Sequence, residues 1–199
     1  MSQSFPYCAL RYLLLWEKNE KELYASMSAG PDSESLRKSM HYFRVSRTFR
    51  EIDTEAKASF VLTALVNATG GASLDPIKAV EQLTDQFAHE FEQRNLSAAT
   101  KLLWLRHRRP FLIYDARAVS ALKKMKFKFN PRSYGEYAEV WLSAYKDHRG
   151  SILDAVALLP TLHPFVSAWH ATPESIDRLV RKPWFCERVF DIYLWEEGK

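Results

Sequence analysis

The sequence has 199 residues with 47% hydrophobic side chains, 26% charged side chains and a formal net charge of +4 at pH 7. This hydrophobic content excludes a disordered chain, and six glycines are too few for a turn-rich β architecture. The length fits one domain, or at most two lobes over residues 1–95 and 96–199. The longest apolar stretch, residues 7–16, contains Arg11 and is too short to cross a bilayer. We therefore expect a cytoplasmic protein without membrane contact.

Helix signals fill the first half of the chain. Apolar residues recur at helical spacing between Pro, Gly, Ser and Asp signals that start or stop a helix. Near residues 52–54 a break is predicted, where Asp53 and Thr54 are alternative caps. The predicted helices cover residues 7–28, the region 34–69 with its break, and a segment that Asp75 and Pro76 begin.

The second half continues in the same way. Asn95 and Ser97 are alternative caps of a short helix over residues 98–107, which a turn joins to an extended apolar run at 111–114. Asp115 then opens a helix that ends near residue 125. Further helices are predicted over residues 133–147, 150–159, 164–170, 173–180 and 183–196. No sustained two-residue alternation appears, so the sequence predicts an all-α bundle of about eight to ten helices.

Cysteine and histidine positions do not suggest a metal site. Cys8 and Cys186 leave a disulfide open, but a reducing cytosol favours two buried thiols. The six histidines do not form a pair with metal-ligand spacing within one helix. We expect neither a metal ion nor another cofactor.

Positive charge is concentrated in one segment. Residues 101–132 contain ten basic residues and one acid, Asp115, whereas the rest of the chain carries 18 basic and 23 acidic residues. A concentrated positive field on an otherwise acidic body is typical of a protein that binds a polyanion. A solvated basic helix face without a partner is the alternative.

Asp115 is the candidate reactive group of this segment. It follows four apolar residues, 111–114, and begins a helix, whose N-terminus stabilises a carboxylate. An ionised acid beside a basic surface suits a reaction on DNA with a cationic transition state. The simpler interpretation is that Asp115 is only a helix cap, since Asp is common in that role.

Residues 97–122 resemble the core of the helix-hairpin-helix DNA glycosylase superfamily, in particular bacterial proteins with the 8-oxoguanine DNA glycosylase fold. The matching residues are Ala99-Thr-Lys-Leu-Leu-Trp104 and Ile113-Tyr-Asp-Ala-Arg117, and residues 188–195 resemble the closing helix of such proteins. The resemblance implies duplex DNA as partner, a modified base flipped into a pocket, and an aspartate at position 115 that assists cleavage of the glycosidic bond. We expect a monomer.

The sequence departs from the family pattern at two places. The hairpin region, residues 94–99, has no glycine, and Ser97 stands near the position where bifunctional members carry a lysine nucleophile. Lys101 lies one turn further along. We expect it to be solvated or to contact a phosphate, and the alternative is that it is a nucleophile. These departures favour a monofunctional, aspartate-only mechanism.

The remaining site predictions fall into two sets. The predicted DNA-binding residues are Ser97, Thr100, Arg106, Arg108, Arg109, Arg117, Lys123, Lys124, Lys126 and Lys128. The four lysines lie in a segment that is expected to be either an exposed edge strand or the frayed end of a helix. The candidates for a base pocket are Trp104, Tyr134, Tyr137, Trp141, Trp169 and Trp184.

Three functions remain open from the sequence. The first is a glycosylase that removes a modified base, either an oxidised purine or a bulky pyrimidine of phage DNA, in repair or in defence. The second is a DNA-binding protein that keeps the scaffold without catalysis. The third is a helical protein–protein adaptor whose basic patch meets an acidic partner.

Overall fold

The protein is all-α, as the sequence predicts. The structure, a computed structural model, describes residues 4–70, 74–165 and 171–199, without the side chains of 163–165, and these residues contain no strand. The α-helices among them are α1 Phe5–Leu15, α2 Lys21–Ala29, α3 Ser33–Tyr42, α4 Glu55–Thr69, α5 Pro76–Phe91, α6 Leu96–His107, α7 Ala116–Lys124, α8 Tyr134–Ala157, α9 Pro173–Val180 and α10 Pro183–Glu197.

The chain divides into two compact units. The central unit is Glu22–Tyr114, and the terminal unit combines the described residues before Glu22 with those from Asp115 onward. The boundaries of these units fall at 21/22 and 114/115, whereas the two lobes that the sequence leaves possible would divide at 95/96. Because α6 packs on α5, it belongs with the preceding helices, and because α1 packs on α8 and α10, it belongs with the second half.

Helix α10 forms the middle of the terminal unit. Residues 184–194 of this helix are all buried, since α1, α7, α8 and α9 pack around it. Cys8 on α1 and Cys186 on α10 are buried free thiols, which confirms the predicted pair of thiols. The predicted helix 7–28 corresponds to helical structure over residues 5–29, in which Trp16–Glu20 forms a π-helical turn between α1 and α2.

The central unit breaks its predicted long helix earlier than expected. Helix α3 ends at Tyr42, and α4 begins after Thr54, whose side chain accepts a hydrogen bond from the N–H of Lys57. Val45, Phe49 and Ile52 between them are buried. Their spacing imitates a helix, but turns and a three-residue 3₁₀ segment bring them to the core.

Helix α8 corrects another prediction. Residues 133–147 and 150–159 are not two helices, because α8 runs unbroken through the exposed Gly150. A glycine inside a helix costs about 1 kcal/mol relative to alanine, and that cost does not end a helix with several buried residues. Residues 159–165 form a 3₁₀ segment, and residues 166–170 of the predicted helix 164–170 lie outside the described residues.

Candidate nucleic-acid interface and carboxylate

Helices α5 and α6 form a helix–turn–helix pair in the central unit. Four residues, 92–95, connect them, and the two helices pack against each other. The turn begins at Glu92, which takes a left-handed conformation with φ 56° in place of a glycine. Asn95 is the cap of α6, since its side chain accepts from the N–H of Ala98 at 3.0 Å. Of the two predicted caps, the structure selects Asn95.

Lys101 is buried, which contradicts its prediction as a solvated or phosphate-contacting lysine. Its side chain runs back one turn along α6, so that Nζ donates to Ser97 Oγ at 3.0 Å and lies 5.8 Å from the ring centre of Phe43. Residues 98–105 of α6 are all buried, and Lys101 is 8% exposed. Its ammonium therefore lies beside Ser97, which is itself half-buried.

Thr100 is a structural residue rather than the predicted DNA contact. It is fully buried, and its Oγ1 accepts a hydrogen bond from the N–H of Tyr114 at 3.0 Å. The same hydroxyl donates to the carbonyl of Leu96 at 3.0 Å. Thr100 thus ties the end of the extended run, the residue directly before Asp115, to α6.

The arginines at the end of α6 pack partly against α2. Arg108 has a left-handed φ of 57°, and its guanidinium carbon lies 3.3 Å from the ring centre of Tyr24. Arg106 donates to the carbonyl of Met27 at 3.5 Å. Both side chains are half-buried, whereas Arg109 is exposed. Arg106 and Arg108 lie nine and eleven residues after Ser97, which places their backbones roughly 14 and 16 Å from it along the helix axis.

Asp115 caps α7 in the terminal unit. Its Oδ1 accepts from the N–H of Arg117 at 3.0 Å, and the residue is half-buried. The capping role predicted from sequence is confirmed, and its chemical role stays a prediction. Arg117 is exposed, and its guanidinium has no hydrogen bond or ion pair to any described residue.

The lysines that follow are all exposed, but the segment is neither the predicted edge strand nor a frayed helix. Helix α7 ends at Lys124, and Lys126 takes a left-handed φ of 71° that turns the chain into an irregular stretch. Lys124 donates to the carbonyl of Glu197 at 2.7 Å. The exposed lysines are Lys123, Lys124, Lys126 and Lys128.

The aromatic residues predicted to form a base pocket are core residues. Trp141, for example, is fully buried, stacks on Tyr145 and donates from Nε1 to Asp191 at 3.0 Å. These side chains lie on the inner faces of their helices, where they could sandwich a base only if the core opened. The buried candidates are Trp104, Tyr134, Tyr137, Trp141 and Trp184, and Trp169 lies outside the described residues.

The terminal unit contains a buried charge network that no pattern in the sequence indicates. Arg188 donates to Glu20 Oε1 at 2.9 Å and lies 3.8 Å from a carboxylate oxygen of Asp191. All three are buried. Burial raises the pKa of Asp191 to about 7, although Arg188 and the hydrogen bond from Trp141 oppose the shift. No local pattern connects positions 20 and 188, so only the fold reveals the pair.

Comparisons with known proteins identify no family. The described helices include none that is long and apolar enough to cross a membrane. In the part of the chain that the structure describes, no three His, Cys, Asp or Glu side chains group where they could hold a metal ion. No protein-family model matches the chain, and neither the curated proteins nor the solved structures contain a significant match.

Proposed function

We propose that the protein is a DNA glycosylase that removes a modified base from duplex DNA and works from Asp115. The observation that carries the proposal is the half-buried carboxylate at the start of α7, two residues from an exposed arginine without an acidic partner among the described residues. The partial positive charge of a helix N-terminus interacts favourably with a carboxylate at this position. An anion fixed in this way can stabilise the positive charge that develops on the sugar as the base leaves.

The surroundings of this carboxylate support contact with DNA. Arg117 and the exposed lysines of α7 and the segment after it supply cations, which bind phosphates of any sequence. The turn between α5 and α6 supports the resemblance to the helix-hairpin-helix superfamily, although it contains Glu92 where that family uses glycine. Because Ser97 stands near the position of the lysine nucleophile, we propose a monofunctional reaction.

The experiment is excision from a panel of duplexes, each with one modified base, by the wild type and by Asp115→Asn. Asparagine keeps an oxygen that can cap α7 but removes the charge. We expect excision to fall by about 100-fold or more, while the Kd for duplex changes little. Full excision by the variant would disprove the assignment of Asp115.

Asp75 offers a matched control. It caps α5 in the same way, with its Oδ1 accepting from the N–H groups of Ile77 and Lys78 at 3.0 and 3.2 Å. Asp75→Asn repeats the chemical change at a cap outside the proposed site. We expect wild-type excision from this variant, so a loss shared by both variants would indicate a general effect of weakening a cap.

A DNA-binding protein without catalysis is the second candidate. The burial of the described aromatic candidates favours it, because none of them is free to hold a flipped base. It predicts salt-dependent binding to duplex DNA and no abasic product from any member of the panel. The excision panel therefore separates the two functions.

A further inference from the structure

The end of α10 gathers positive charge around one indole ring, Trp195. Three charged groups lie over this ring: Arg11 of α1 at 5.1 Å from its centre, Arg117 of α7 at 4.2 Å, and Lys199 after α10 at 4.4 Å. Cations are attracted to the negative face of an aromatic ring. Of these four residues, only Arg117 belongs to the basic segment 101–132, and positions 11, 195 and 199 lie outside it.

Two acidic residues, Glu196 and Glu197, precede Lys199 at this end of α10. Glu196 is buried and pairs with both Arg11 and Lys199. Arg117 has no such pair among the described residues, and its planar guanidinium rests on the indole of the half-buried Trp195. Stacking on a ring uses the face of a guanidinium and leaves its N–H groups at the edge available for an anion.

Backbone packing fixes where the cluster lies. Gly198 approaches α7 so closely that a Cβ at this position would collide with the backbone of Arg117. Lys124, at the other end of α7, donates to the carbonyl of Glu197. The end of α10 is therefore held against the first turn of α7, the turn that Asp115 caps.

We propose that Arg11, Arg117 and Lys199 form one phosphate-binding site, in which Trp195 positions the guanidinium of Arg117. The ligand is a phosphodiester of the nucleic-acid backbone, because an edge of N–H donors matches the paired oxygens of a phosphate. The proposal rests on the proposed function, since it supplies the DNA contact beside Asp115. The alternative is that these cations only neutralise the carbonyl end of α10.

The test is a double-mutant cycle on binding to a short labelled duplex that contains an abasic-site analogue, over a series of salt concentrations. We expect Arg117→Ala to weaken binding roughly three- to tenfold and to lower the slope of log Kd against log salt by about 1. Trp195→Leu has a similar effect, and the double variant is no weaker than Arg117→Ala alone, because Trp195 acts through Arg117. Trp195→Phe keeps an aromatic face and restores part of the affinity.

Control variants complete the test. Arg178→Ala removes an equally exposed arginine of α9 and leaves the slope unchanged, whereas Arg11→Ala and Lys199→Ala each lower it. If Trp195→Leu binds with wild-type affinity and slope, or if the losses in the double variant are additive, this inference is wrong while the proposed function still stands. Absence of duplex binding by the wild type overturns the proposed function and this inference with it. Because Arg117 is exposed, Arg117→Ala is expected to fold. This variant therefore tests the proposal even if Trp195→Leu does not fold.

Discussion

Replacing Thr100 by valine removes one hydroxyl from the core and should loosen the segment before Asp115. The Oγ1 of this fully buried residue accepts from the N–H of Tyr114 at 3.0 Å. Valine has the same shape but cannot accept that bond. A buried donor that loses its acceptor costs about 1–3 kcal/mol, and we expect the free energy of unfolding to fall by this amount. For a chain of this size the loss corresponds to a decrease in Tm of about 2–12 °C.

Thr84→Val is the matched control, and urea denaturation is the assay. Thr84 is equally buried, but its hydroxyl only donates to the carbonyl of Val80 at 2.6 Å and accepts nothing among the described residues. We expect a smaller loss for it, and faster hydrogen exchange at the amide of Tyr114 only in Thr100→Val. Equal losses in the two variants, or unchanged exchange at Tyr114, would refute the role given to Thr100.

Three further predictions concern the terminal unit. Burial raises the pKa of Asp191 to about 7, above its ordinary value near 3.9, so the folded protein loses stability as pH rises from about 4 to about 7. Asp191→Asn removes this loss, and its Tm relative to wild type should increase between about pH 4 and pH 7. Glu20→Gln breaks the buried pair with Arg188 and should lower the free energy of unfolding by about 3–5 kcal/mol in urea titrations. Burial raises the pKa of Cys8 to about 12 and of Cys186 to about 11, so both thiols should react with a disulfide reagent only after unfolding.

Each of these predictions has a result that contradicts it. A constant Tm difference between Asp191→Asn and wild type over this pH range would mean that Asp191 ionises in the folded protein as it does in the unfolded chain. Asp177→Asn, which breaks the exposed pair with Arg181, should cost less than 1 kcal/mol; an equal cost for Glu20→Gln would contradict its buried role. Rapid labelling of either thiol in the native protein would contradict their burial.

Local chemistry predicted the helix starts well. Thr54, Asp75, Asn95 and Asp115 each cap a helix through a side-chain oxygen that accepts from a backbone N–H one turn or less ahead. Such a bond depends on a few consecutive residues, so the sequence carries the information directly. The all-α class followed from the same signals together with the helical spacing of apolar residues.

Errors arose where distant packing decides the outcome. Val45, Phe49 and Ile52 repeat at helical spacing, yet turns bring them inward. Helix α8 continues through the exposed Gly150, with buried residues such as Trp141 before it and Ile152 after it. A lysine is usually exposed, yet Lys101 is 8% exposed. Helix α6 is buried on several faces, and nothing in its own sequence shows which helices surround it.

The structure changes which charges can carry the proposed function. The basic segment is continuous in sequence, but the boundary between the two units runs through it at 114/115. On the central side Lys101 is buried and two of the three arginines pack against α2, whereas from Arg117 onward the cations are exposed. A cationic side chain attracts a phosphate strongly only when the phosphate can approach it closely. The electrostatic case for DNA binding therefore depends mainly on α7 and the lysines after it, where the same helix also holds the carboxylate of Asp115.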